Sequence, residues 1–304
     1  MILAIDQGTT SSRAVLFDRH GVAVGTVQRE ITQHYPQPGW VNHDAAEIWD
    51  TTLRVARDAI AEANVSPVDI AGIGITNQRE TTVLWDRATG RPVAPAIVWQ
   101  SRQSSAIVDD LVRRGLAETY QRITGLVPDA YFSATKIAWL LRHDDDLRRR
   151  AEAGEIAFGT IDSWLIWNLS GGTCHVTDYA NASRTMLFDI RTLEWSGELL
   201  ADLDIPRSLL PEVRGNSEIL CETASDLFGA AIPVAGVAGD QQSALFGQTC
   251  FAPGEAKNTY GTGSFLLMQT GREAIASDHR LLTTIAWGIG DEIDYALEGA
   301  IFVT

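Results

Sequence analysis

The sequence predicts an α/β protein, and two observations carry that expectation. Three short apolar runs, at 2–5, 14–17 and 22–27, are joined by tight turns at the N-terminus. Beyond them, strand-like and helix-like segments alternate as far as residue 249, the pattern of a parallel sheet with helical crossovers. The three opening runs then form an antiparallel extension of that sheet.

Each element has its own signal. Pro36-Gln37-Pro38-Gly39-Trp40 is a stiff loop. Asp44 follows as the N-cap of a helix, with Glu47 as its capping-box partner and Ile48, Thr52, Ala56, Ile60 and Ala63 as its buried stripe. Residues 69–76 read as a buried strand ending in Asn77-Gln78-Arg79-Glu80, and 82–85 as a further strand that turns at 87–90. A short apolar run at 96–99 precedes helices expected over 104–118, 134–143 and 145–153, the last stopped by Gly154. A strand at 156–160, helices at 162–169 and 196–203, a strand at 232–237 and a helix at 240–249 complete the alternation.

The pattern changes near Pro253-Gly254. Residues 256–259, 265–269, 282–287 and 295–302 read as a fresh run of strands, with Gly261-Thr262-Gly263-Ser264 in the first turn. A strand, a Gly/Thr/Ser turn and a second strand repeat the design of residues 2–17, either as a weak internal duplication or as chance likeness of two hairpins. The division is then a first domain over 1–249 and the start of a second over 250–304, whose strands have hardly a helix to cover them.

Composition narrows the function. With 304 residues and 45% hydrophobic side chains, the chain can bury a large core. A net charge of −15 argues against nucleic acid or an anionic membrane surface as partner. Mean hydropathy is −0.03, no apolar run approaches the length of a membrane span, and Met1-Ile2-Leu3-Ala4 lacks a basic leader region. No membrane anchor and a cytoplasmic location are the resulting expectations. Cys174, Cys221 and Cys250 are too scattered for a disulfide framework or a metal knuckle. Lys136 and Lys257 are the only lysines.

No Gly-Lys-Ser/Thr and no Gly-x-Gly-x-x-Gly is present, so a nucleotide site would have to be built from hairpins. The loop Asp6-Gln7-Gly8-Thr9-Thr10-Ser11-Ser12-Arg13 offers backbone donors, hydroxyls and a carboxylate for that purpose. Gly239-Asp240-Gln241-Gln242 places a second carboxylate at a strand-to-helix junction, where Asp is most often only an N-cap. A pair of carboxylates at the carboxyl edge of a parallel sheet suits phosphoryl transfer. Arg79-Glu80 reads equally as a surface ion pair, Tyr131 as cover for the core, and Trp99 and Phe265 as core.

Taken together, these segments resemble the glycerol kinases of the FGGY carbohydrate-kinase family. Besides the Asp6–Arg13 loop and Gly239–Gln242, the matching segments are Pro38–Val41, Gly74–Thr82, Ile97–Gln100, Asn181–Met186 and Lys257–Gly263. The resemblance implies the actin/hexokinase-type (ribonuclease H-like) ATPase fold and ATP-dependent phosphorylation of glycerol, with ATP and Mg²⁺ required. It implies that Arg79, Glu80, Tyr131, Asp240 and Gln241 hydrogen-bond glycerol while Trp99 and Phe265 flank its carbons. Asp240 would be the general base and Asp6 the metal-side carboxylate, acting through water. Thr9, Thr10, Ser11 and Arg13 would meet the phosphates from one side, and Thr262 with Gly263 from the other.

Two departures qualify the resemblance. Family members continue well past residue 304, so the chain reads as a fragment with impaired turnover. Residues 222–229, where some relatives bind fructose 1,6-bisphosphate or carry a phosphorylated His, hold neither Arg nor His, so neither control is expected. The competing readings are a related polyol or ketose kinase, a non-catalytic glycerol-binding module and, more distantly, an actin-like ATPase. Association into a homo-oligomer is compatible with the sequence.

Overall fold

The computed structural model describes residues 1–260 and 263–302. At its centre is a six-stranded sheet. The strand Ile2–Gln7 lies between the antiparallel strand Ser11–Phe17, itself followed by Ala23–Glu30, and the parallel strand Gly72–Asn77. Pro233–Gly239 extends the parallel set, and Cys221–Glu222 closes the edge in the antiparallel sense. The N-terminal runs therefore form the antiparallel extension that the sequence predicts.

The helix Ala45–Glu62 covers one face of this sheet, packing Ile48, Val55, Ala56 and Ala59 onto Leu3, Ile5, Ala14 and Leu16. Asp44 caps it by accepting from the Ala46 amide at 2.8 Å. Glu47 does not complete a capping box; its carboxylate accepts instead from the amide and hydroxyl of Thr32. A long-range contact outcompeted the local motif there. The helix expected over 104–118 is two, Ser105–Arg113 and Ala117–Thr124, because the chain turns at Gly115 with φ +74°. Short strands and one-turn helices between 176 and 228 escaped the sequence pattern; they are too brief to show a period.

Strands Ala256–Tyr260, Gly263–Gly271, Glu292–Phe302 and Leu282–Ile289 form a separate four-stranded sheet in that spatial order. The expectation of a sheet left without cover does not hold on its inner face. Leu267, Leu282, Ile285, Trp287, Tyr295 and Ala296 join one hydrophobic cluster with Ile123, Phe188, Ile190 and Leu245. A close approach seals the contact. Gly125, at φ +75°, accepts the Thr283 amide on its backbone carbonyl, and a Cβ there would meet the Thr283 carbonyl at 2.3 Å.

Two buried polar arrangements hold the loops that follow the sheet. Asn77 and Asn181 exchange amide hydrogen bonds at 3.0 Å in each direction, pinning the end of the strand Gly72–Asn77. Asp178 caps the short helix Tyr179–Ala182 and also accepts from Asn216, whose side-chain oxygen receives the Gly288 amide at 2.7 Å. Burial, with Asp162 nearby, raises the Asp178 carboxyl to about 7.

Lys136 is fully buried at the start of the helix Ser133–His143, donating to the carbonyls of Ala130, Tyr131 and Phe132. Burial lowers this ammonium to about 7, opposed by Glu80 and Asp129. Lys136→Met leaves three buried carbonyls without this donor and should cost about 3 kcal/mol or more, read as a lower urea midpoint. Because the folded-state value lies below the ordinary one, the stability that Lys136 contributes rises as pH increases from about 7 towards 10.

Candidate active site

The carboxyl ends of three parallel strands meet at one edge. Asp6 lies level with Thr76 and Ala238 across the strands Ile2–Gln7, Gly72–Asn77 and Pro233–Gly239. At about 4.8 Å per strand, the backbones of residues 6 and 238 are about 10 Å apart. Arg79 and Glu80 follow the middle strand by two and three residues; Asp240 follows the outer one directly. Both sequence-predicted carboxylates and the predicted guanidinium therefore stand on a single edge.

Arg79 is the hub. Only 2% of it is exposed, so the surface-pair reading fails. Its two terminal nitrogens donate to the Glu298 carboxylate at 2.6 and 2.9 Å, and further contacts reach Gln242 at 3.2 Å and Tyr131 Oη at 3.4 Å. Its Nε faces Asp240 Oδ1 at 3.4 Å and stands 3.8 Å from Glu80 Oε1. Gly239 leaves room for this arrangement. A Cβ there would lie 2.6 and 2.7 Å from Arg79 Cδ and Cγ. Gly239→Ala should displace the guanidinium and cost about 1–3 kcal/mol by overpacking, read as a lower urea midpoint.

Glu80 takes a left-handed backbone, φ +60°, uncommon for a residue with a side chain. Its carboxylate is held mainly by Arg184, whose Nε donates at 2.7 Å. Arg184 also lies over the Tyr131 and Phe132 rings, 5.5 and 5.3 Å from their centroids, and donates to Glu298 at 3.0 Å. Arg184 belongs to the Asn181–Met186 segment but has no role of its own legible in sequence, and Glu298 is not among the sequence-derived candidates. The available signal was Glu298 as the one charged residue of the run 295–302, which needs a buried partner.

Asp240 opens the helix Asp240–Gly247, and Gly239 is the N-cap, so the bland capping role falls to the residue before it. Asp240 accepts from the Gln241 amide at 2.8 Å. Surrounding protein raises its carboxyl to about 6, against the pull of Arg79 and with a push from Glu80. Yet 39% of the side chain remains open to the cleft. That open side is where a hydroxyl could be met. Gln241 receives Lys257 Nζ, which also donates to Thr259 Oγ1 and the Phe265 carbonyl.

Trp99, Tyr131 and Phe265 form an aromatic wall. Trp99 is edge-to-face with Tyr131 at 5.7 Å and with Phe265 at 6.0 Å. The indole of Trp99 donates to Thr9 Oγ1 at 2.8 Å, tying this wall to the hairpin loop. In that loop the Gly8 amide donates to the Ser11 carbonyl at 2.9 Å, Thr10 is exposed, and Ser11 Oγ accepts from Gln28. Asp6 pairs with Arg13 at 2.5 Å. Gly263 begins the strand Gly263–Gly271; Thr262 lies outside the described residues.

The arrangement offers a carboxylate able to take a proton near neutral pH, a fixed guanidinium, apolar walls and, beyond Thr9, a loop of hydroxyl and amide donors. Such a set could hold a small polyol and present one hydroxyl to a phosphoryl group. Among the described residues, no cluster of three or more His, Cys, Asp or Glu could form an all-protein metal cage, and no helix is long and apolar enough to cross a membrane.

Comparison with known proteins agrees with this geometry. The model of the FGGY family of carbohydrate kinases, N-terminal domain, matches residues 1–247. The sequence is 60% identical over 303 residues to a glycerol kinase of Thermus thermophilus and 59% identical to one of Geobacillus kaustophilus, in each case over 99% of this chain and 61% of the relative. A crystal structure of Plasmodium falciparum glycerol kinase with ADP superposes with a TM-score of 0.95 at 38% identity, over 99% of this chain and 61% of that one. Xylulose kinase of Lactobacillus acidophilus shares the fold, at a TM-score of 0.88 and 21% identity. The chain thus spans about 61% of the length of the relatives it matches.

Proposed function

We propose, from the premise that this chain belongs to the FGGY family of carbohydrate kinases, that its cleft receives glycerol for phosphorylation by ATP. The observation that carries this reading is the half-open Asp240 carboxyl, raised to about 6 and faced by the buried Arg79. Arg79, Glu80, Tyr131, Asp240 and Gln241 would bind the hydroxyls of the triol. Trp99 and Phe265 would pack against its carbon chain. Asp240 would take the proton of the hydroxyl that attacks the terminal phosphate.

Thr9, Thr10, Ser11 and Arg13 would meet the phosphates, and Thr262 with Gly263 would contribute to the same task. Residues 1–249 would form the acceptor-bearing domain and 250–304 the opening of a nucleotide-side domain. One carboxylate beside hydroxyls would suit Mg²⁺ held largely through its own water, not a protein cage. Asp6 would hold that ion through water, and the ion would neutralise charge on the transferring phosphoryl group. Arg13 would exchange its present partner, Asp6, for phosphate oxygens. A cytoplasmic location and assembly into a homo-oligomer belong to this reading.

Calorimetric titration of the chain with glycerol, D-xylulose and Mg–ATP tests the reading. Saturable one-to-one glycerol binding in preference to the ketose supports it. Preference for the five-carbon ketose would favour a related sugar kinase, and glycerol binding without nucleotide binding a non-catalytic module.

A further inference from the structure

We propose that Glu298 is the positioning residue of the acceptor site, a single buried carboxylate that sets the aim of both arginines around it. Glu298 stands in the middle of the four-stranded sheet, paired with Leu267 on one side and Leu282 on the other. Its side chain is fully buried and engages Arg79 through both oxygens and Arg184 through Oε1. The terminal nitrogens of Arg79 are thereby committed to the second sheet, and its Nε edge is the part left facing Asp240 and Glu80. Arg184, held by the same carboxylate, fixes Glu80 in its strained conformation. A continuous chain of charge, Glu80–Arg184–Glu298–Arg79–Asp240, results. Burial opposes ionisation of Glu298, but Arg184 and Arg79 outweigh it and hold the carboxyl near 2, so the clamp stays charged across the working range.

Among the contacts of the described residues, Glu298 reaches the arginines and not Asp240, so its effect on the acceptor passes through Arg79 and Arg184. Removing its charge frees Arg79 to close on Asp240, which would become less basic. This proposal rests on the acceptor-site reading above, and the test separates the two.

Guanidinium proton spectra of the wild-type chain should show Arg79 and Arg184 with resolved, slowly rotating Nη protons, assigned with Arg79→Lys, unchanged from pH 5 to 9. In Glu298→Gln these signals should merge, glycerol affinity should fall at least tenfold, and the acid limb of glycerol binding should move to lower pH. Glu298→Asp should restore part of both. Freely rotating guanidiniums in the wild-type chain would overturn the clamp, a result that needs no variant to fold. So would a folded Glu298→Gln that binds glycerol at wild-type affinity with an unmoved pH profile; the glycerol reading would then stand. Locked guanidiniums in a wild-type chain that binds no glycerol would instead sink the glycerol reading and leave the clamp in place.

Discussion

Replacing Arg79 with Met is expected to be the most damaging single change in the molecule, in stability and binding together. The methionine fills similar volume but leaves Glu298 with Arg184 as its one remaining ion-pair partner among the contacts described, and leaves Gln242 and Tyr131 without their guanidinium contact. Breaking a buried pair by removing one partner typically costs about 3–5 kcal/mol, because an uncompensated charge is stranded. Urea unfolding should report that loss. The Glu298 carboxyl, held near 2 by two arginines, should titrate higher with one. The variant should then lose more stability at alkaline than at acidic pH relative to the wild type. Glycerol binding should vanish. A variant within 1 kcal/mol of the wild type would mean that the ion-pair hub is not what holds the two sheets together.

The second large effect is at Asp240, and there stability and function should move in opposite directions. Asp240→Asn removes the proton acceptor, and turnover should fall roughly 10²–10⁴-fold from the wild-type chain's own rate, measured as glycerol-dependent ADP release. Stability should rise at neutral pH. The folded carboxyl, at about 6, lies above its ordinary 3.8. Folding is therefore favoured by the protonated form, fully below pH 4, and that advantage is lost as pH climbs through 6. An amide carries no charge to desolvate, so the variant's melting temperature should exceed the wild type's at pH 7.5 and converge with it near pH 4. Catalysis should show the mirror image, with an acid limb near pH 6 in kcat/KM. A variant less stable at pH 7.5 would point to Asp240 as a structural anchor.

How far the sequence led depends on the range of each interaction. The hairpin strands, the helix after Asp44 and the three parallel strands were legible because their patterns are local. So were the positions of Asp6, Arg79 and Asp240, since strand ends in a parallel sheet share one edge. Glu47 misled because a capping box and a distant Thr32 compete for one carboxylate, and sequence shows only the former. Glu298 was invisible for a related reason. It is separated from Arg79 by 219 residues, and nothing local says that a strand glutamate has two arginine partners. Trp99, Tyr131 and Phe265 could not be told from core by composition, and in burial they are core; their edge-to-face contacts and the bond to Thr9 are what set them apart.

The sharpest test is a crystal structure grown with glycerol at millimolar concentration and no polyol cryoprotectant. The triol should lie between Trp99 and Phe265, with one terminal hydroxyl within 3 Å of Asp240 and another group on the Arg79–Glu80 edge. Density for glycerol elsewhere, with that cleft filled only by water, would contradict the assignment of Asp240, Arg79 and the aromatic wall to a common acceptor site.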